Sequence, residues 1–197
     1  MPFWAVLDAC VLHPIGLADT LLWVAHVEVY QPLWSRDILD ELRRSVLERL
    51  PDANIDGRIA DMVEAFPEAE VSGYQALVDG LTNDPKDRHV LAAAIVGKAQ
   101  VIVTTNLRHF PAEACEPFGV EAQHPDEFLT NALHIDPDRV VRALAQQAAA
   151  KQRPPITFDQ LLDRLGETAP MFVGEARDYV AALGSRDQER LRRLLGR

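Results

Sequence analysis

The sequence predicts an α/β fold built on a mainly parallel sheet, with an all-helical extension behind it. Two observations lead there. Short apolar runs of strand length, FWAVL at 3–7 and VIVTT at 101–105, are separated by longer stretches of helical periodicity. Beyond residue 134 no run looks like a strand, and only helical patterns remain.

The elements follow in order. FWAVLD (3–8) is apolar, carries aromatic and Val residues, and ends on an acid, as a buried strand would. HPIGLADTLLWVAH (13–26) reads as a helix with Pro14 near its first turn. VYQPLW (29–34) suits a short strand. Ser35 is an N-cap for a helix over 36–50, in which Ile38, Leu39, Leu42 and Val46 share one face and after which Pro51 is a stop. Further helices are expected over 54–66 and near 73–81. Asp84 as N-cap with Pro85 at the first helical position starts the next helix and puts Asp87 at its third position. VIVTT reads as a parallel-type strand, GVEAQ (119–123) as a weak last strand, and HPDEFLTNAL (124–133) as a helix. Asp136 with Pro137 caps the following helix, and Thr157 with Gln160 has capping-box spacing. RDQERLRRLLGR (186–197) is a basic amphipathic segment that reads as a solvated helix face in preference to an RNA contact.

The 197 residues carry a formal charge of −10, unevenly spread. Residues 1–130 hold 21 acids and 9 bases, residues 131–197 hold 9 acids and 11 bases. An acidic main domain excludes non-specific binding of nucleic acid through a broad basic surface, so any such role needs local bases, metal ions or the tail. No Lys or Arg precedes Arg36, which argues against a secretory signal, and Asp8, Pro14 and Asp19 interrupt any membrane span. Cys10 and Cys115 form no metal-ligand spacing and are expected as free thiols of a reducing cytoplasm, Cys10 as a small buried hydrophobe.

Candidate site residues come from position. Asp8 ends a strand, where ligand sites of parallel sheets lie, and a carboxylate there is costly to bury alone. Asp40 is expected to pair with Arg44, whereas Glu41 lies at the margin of its helix's apolar face. Asp84 and Asp87 are accounted for by helix capping and the helix dipole, yet they share a region with the other acids. Asn106 follows VIVTT, with Thr104 and Thr105 beside it. Oxygen ligands without Cys or His clusters suit Mg²⁺ or Mn²⁺, ions that serve phosphoryl chemistry. The six histidines, scattered singly, read as satisfied or surface residues. GxSxG, HExxH and a glycine-rich phosphate loop are absent, and Ala9-Cys10 after Asp8 breaks the Asp-x-Asp of a phosphatase.

Taken in order, VLDACVL, WSRDILDEL, DPKDRHVLAAAI and VIVTTNLRHFP resemble the PIN-domain ribonucleases, most nearly the VapC-like toxins of bacterial toxin–antitoxin pairs. The resemblance implies a three-layer sandwich over residues 1–133 and a helical extension over 134–197. It implies metal-assisted hydrolysis of RNA phosphodiesters, with Asp8, Glu41 and Asp87 as catalytic acids. Those three, with Asn106 and Asp84, would hold one or two Mg²⁺ or Mn²⁺ ions. Lys86, Arg88 and Arg108 would meet the RNA backbone, although as surface bases they are equally read as solvated charges. The implied partners are an RNA substrate, an antitoxin peptide lying across the groove, and a second copy of the chain. Two positions depart from the family pattern: Asn106 where an acid is frequent, and His109 where a further acid often occurs. Asn106 keeps open the alternative of a catalytically degenerate PIN-like module that binds RNA or protein without cutting.

Overall fold

Strand β1 (Phe3–Leu7) becomes fully buried towards its end, at Ala5, Val6 and Leu7, and lies at the centre of a five-stranded sheet. The computed structural model describes residues 3–152 and 154–184. β2 (Tyr30–Ser35) and β3 (Glu70–Val71) lie to one side of β1, β4 (Val101–Val103) and β5 (Glu121–Gln123) to the other, in the order β3-β2-β1-β4-β5. The β1–β4, β2–β3 and β4–β5 ladders are parallel. Such a sheet needs helical crossovers, and the chain supplies them. Together with the helical extension this is the α/β sandwich that the alternation of runs predicts.

Two compact units make up the described chain. The first holds the residues up to Pro14 and Gln31–His124, the second Ile15–Tyr30 and the residues from Pro125 onward.

In the first unit, α1 (Ala9–Leu12) follows β1 at once. Ser35 accepts from the Ile38 amide and starts α3 (Arg36–Arg49), which buries Ile38, Leu39, Leu42 and Val46. α4 (Ile55–Ala65) is capped by Asn54 and tied to α3 by the Arg43–Asp56 pair. α5 (Arg88–Val96) is almost wholly apolar and lies against β1 and β4. Gly97 ends it where a Cβ would come within 2.7 Å of Leu33 Cδ1 and 2.9 Å of Val71 Cγ2, so the close approach of this turn to β2 and β3 requires glycine. α6 is the short turn Ala112–Cys115.

In the second unit, α2 (Ile15–His26) lies against α8 (Pro137–Ala150). Thr20 Oγ1 donates to Gln147 Oε1 at 3.0 Å, and Asp19 pairs with Lys151. α7 (Pro125–Ile135) carries Asp126, whose carboxylate accepts from the amides of Met171 and Phe172. That satisfies the open N-terminus of α10 (Pro170–Ala182), whose own N-cap residue, Ala169, has no side-chain acceptor. Thr157 and Gln160 form a complete capping box on α9 (Phe158–Leu165).

Local structure departs from expectation at several places. The segment near 73–81 is a 3-10 helix, Gln75–Gly80, and the two-residue strand β3 is too short to show periodicity. The stretch 13–26 is helical only from Ile15. Asp84 does not cap a helix: its Oδ1 accepts from the Lys86 amide and its carbonyl from the Asp87 amide. This closes a turn over 84–87 and delays the helix to Arg88, so Asp87 takes the N-cap position instead of the third. Asp40 pairs with Arg36 instead of Arg44. RDQERLRRLLGR lies outside the described residues. No helix among them is long and apolar enough to cross a membrane.

Candidate active site

The sheet reverses its winding at β1 and β4, where β2 and β3 lie to one side and β5 to the other. A parallel α/β sheet opens its crevice at the carboxyl ends of such strands. Leu7 pairs with Val103 in register, so Asp8 and Thr104 leave the sheet side by side, and the Asp8 amide donates to the Val103 carbonyl at 3.1 Å.

Asp8 is 2 % exposed. Its Oδ2 accepts from Thr104 Oγ1 at 2.7 Å and from Cys10 Sγ at 3.1 Å. Burial holds its pKa above the ordinary carboxylate value; the bonds from Thr104 and Cys10 oppose this, and the charges of Asp87 and Glu41 reinforce it. Cys10 is therefore no mere hydrophobe. Its thiol faces Asp8, accepts from the Thr105 amide, and is pushed up to about 11 by burial and then by the Asp8 charge. Thr104 Oγ1 also accepts from the Asn106 amide at 3.0 Å, which closes a tight turn directly after β4.

Glu41 and Asp87, but not Asp84, line a groove of about 970 Å³ that also takes in Asn106, Lys86, His89 and His109. Glu41 projects from α3 with its side chain 38 % exposed, 3.4 Å from His89 Nε2. Burial of His89 lowers its pKa, the Glu41 bond and charge raise it, and the net direction is upward. Asp87 is 7 % exposed, and its Oδ2 lies 2.5 Å from His109 Nδ1. Asp84, Asp87 and His109 bring potential ligand atoms within 4.8 Å of one another.

Of the three bases assigned to RNA, Lys86 lines the groove. Arg88 Nε reaches back to the Asn83 carbonyl, and Arg108 Nε donates to His109 Nε2 at 3.2 Å. Arg44, released from the expected pairing with Asp40, lines the groove as well. Periodicity did not point to His89, His109 or Cys10. For His89 and Cys10 the signal was nearness in sequence to an acid, and for His109 it was its place where the PIN pattern often has a further acid.

The donor set can be tested for cation chemistry. The charges of Glu41 and Asp87 both act on Asp8, and among the described residues no lysine or arginine pairs with any of the three. The side chains set against Glu41 and Asp87 are the imidazoles of His89 and His109. Neighbouring carboxylates, two of them buried, that no lysine or arginine pairs with among the described residues fit a hard divalent cation bound by oxygen.

A parallel α/β sheet that carries a buried carboxylate at its switch point, beside a groove lined by Glu41 and Asp87, is the class of protein the fold defines. The PIN domain profile matches residues 5–108, more than half of the chain, and the chain belongs to the PIN-domain family. The profile of the VapC50 C-terminal domain matches residues 125–178. A Mycobacterium tuberculosis (strain ATCC 25618 / H37Rv) protein described as "Putative ribonuclease VapC50" is 45 % identical over 105 residues, 53 % of this chain. The match spans 62 % of that relative's length. No solved structure matches.

Proposed function

We propose that the chain is a metal-dependent endoribonuclease that hydrolyses RNA phosphodiester bonds, and the toxin of a toxin–antitoxin pair. The observation that carries this reading is the gathering of Glu41 and Asp87, which line one groove, close enough to the buried Asp8 for both charges to act on it, with no lysine or arginine paired to any of the three among the described residues. The description of the M. tuberculosis relative, "Putative ribonuclease VapC50", supports it.

In this reading Asp8, Glu41 and Asp87 hold Mg²⁺ or Mn²⁺, with Asn106 and Asp84 as further oxygen donors. A bound divalent cation supplies charge against the phosphate oxygens and makes water easier to deprotonate. The chain does the rest. Thr104 and Cys10 fix the Asp8 carboxylate by donating to Oδ2. Lys86, exposed on the groove, meets the RNA backbone, with Arg88 and Arg108 as further backbone contacts. Residues 1–133 serve as the nuclease module and 134–197 as its extension. A second copy of the chain and a cognate antitoxin are the proposed partners, in the cytoplasm.

The neutral side chain of Asn106 favours a second reading, a PIN-like binding module without cleavage. Incubating total cellular RNA with purified protein separates the two. Discrete fragments that require Mn²⁺, vanish with EDTA and vanish in Asp8→Ala establish the nuclease. Intact RNA in every lane, with a folded protein that retains RNA or a partner, selects the binding module.

A further inference from the structure

We infer that His109 is a positioning residue for Asp87: it fixes one carboxylate oxygen and is not itself a ligand of the cation. The inference rests on the reading of Asp87 as a cation-holding carboxylate. By distance alone the opposite assignment suggests itself, because Asp84, Asp87 and His109 bring oxygen and nitrogen atoms within 4.8 Å of one another. That would make a mixed oxygen–nitrogen centre.

Hydrogen bonding decides against it. A neutral imidazole has one donor and one acceptor nitrogen, and a guanidinium can only donate. Arg108 Nε lies 3.2 Å from His109 Nε2, so Nε2 is the acceptor and the ring proton sits on Nδ1. Nδ1 faces Asp87 Oδ2 at 2.5 Å, the geometry of a donor on a carboxylate. Both ring nitrogens are thereby used, and Nδ1 has no lone pair to offer an ion.

The backbone shows why Asp87 needs such a partner. It occupies the N-cap position of α5, yet its side chain makes no cap hydrogen bond. The helix it precedes does not aim it. His109 sits in the 3-10 turn Leu107–His109, whose last amide donates to the Asn106 carbonyl. The His109 carbonyl accepts from the Asp84 amide at 3.2 Å. One residue thus joins the segment after β4 to the turn before α5 twice, by main chain at Asp84 and by side chain at Asp87. With Oδ2 held, Oδ1 is left to face an ion. Partners behind a ligand of this sort typically change metal affinity about ten- to a hundredfold.

The test uses the full chain and Mn²⁺ alone, without RNA. Calorimetry should show His109→Ala weakening Mn²⁺ binding about tenfold or more, with unchanged circular dichroism. His109→Asn, whose amide nitrogen can take the place of Nδ1, should recover binding to within about threefold of wild type. Pulsed EPR of bound Mn²⁺ should give the same nitrogen couplings in wild type and His109→Asn. In the metal-free protein, nitrogen-15 shifts should report the Nδ1–H tautomer. A nitrogen coupling present in wild type and lost in both variants makes His109 a ligand and overturns the inference. Mn²⁺ affinity untouched in His109→Ala, or an Nε2–H tautomer, overturns it too while leaving the cation reading intact. A wild-type chain that binds no Mn²⁺ removes the cation reading and this inference together.

Discussion

Thr104 Oγ1 donates to Asp8 Oδ2 across 2.7 Å and joins the ends of β1 and β4 where the sheet reverses. Both residues are buried, so water does not replace the bond when it is lost. Removing one partner of a buried bond leaves the other unsatisfied, which costs about 1–3 kcal/mol. Thr104→Val keeps the shape and deletes the donor. Its urea midpoint in metal-free buffer should fall accordingly, and its Mn²⁺ affinity should fall as the Asp8 proton is held more tightly. A variant with the wild-type midpoint and Mn²⁺ affinity would show that the bond contributes nothing.

Cys10 should be a slow thiol. Burial and the adjacent Asp8 charge hold it in the protonated, donating form, with a pKa of about 11. Only the thiolate reacts with alkylating reagents, so at about pH 7.5 iodoacetamide should label Cys10 on the order of a hundredfold more slowly than free cysteine. Peptide mass spectrometry gives the rate. Labelling as fast as free cysteine would place the sulfur outside the Asp8 network.

Much of this architecture was legible residue by residue. Ser35 caps α3, Thr157 and Gln160 close their box, and Asp136 caps α8, because each is a local contest between a side chain and nearby amides. The Asp84 turn was not legible, since Asp-Pro serves a helix start and a closed turn equally well; what distinguishes them is the bond from the Lys86 amide. Nor was the companionship of α2 with the C-terminal helices. Thr20 and Gln147 meet across 127 positions, and no periodicity encodes such a contact. His89 and His109 looked incidental for the same reason: each becomes informative only once the fold sets it against Glu41 or Asp87.

Gln147 carries a stability prediction in the second unit. It is fully buried, its Oε1 accepts from Thr20 Oγ1, and among the described residues its Nε2 has no partner. Thr20 Oγ1 also donates to the Gly16 carbonyl at 3.0 Å, so it stays satisfied without Gln147. Gln147→Leu removes a buried unpaired donor and should leave stability unchanged or raise it by about 1 kcal/mol. Thermal unfolding measures it. A fall of several degrees would mean that the amide has a partner of consequence.

Asp84→Asn and Asp84→Ala separate turn from ion. Either Asp or Asn can accept from the Lys86 amide, so Asp84→Asn should keep wild-type stability whereas Asp84→Ala should lose about 1 kcal/mol. If Asp84 is a cation ligand, both variants should weaken Mn²⁺ binding. Calorimetry in which only the unstable variant loses affinity would confine Asp84 to the turn.

Asp8 should make the metal-free protein less stable than it could be. Burial first, and then the charges of Asp87 and Glu41, hold its folded pKa above the ordinary value despite the bonds from Thr104 and Cys10. The folded chain therefore binds this proton more tightly than the unfolded chain does. The resulting stabilisation is complete below the unfolded pKa, about 4, and disappears as pH rises through the folded one. At about pH 7.5 the metal-free wild type carries the cost of a buried charge that Asp8→Asn lacks. Asp8→Asn keeps an oxygen acceptor for Thr104 and Cys10, so it should melt above metal-free wild type at neutral pH, with the gap closing towards about pH 4. Mn²⁺ binds the ionised form; it should raise the wild-type Tm at neutral pH, raise it little near pH 4, and leave Asp8→Asn unmoved. Scanning calorimetry across that range, with and without Mn²⁺, gives all four curves. An Asp8→Asn protein that melts below metal-free wild type at neutral pH would show that the ionised carboxylate stabilises the fold and is not held there for a cation.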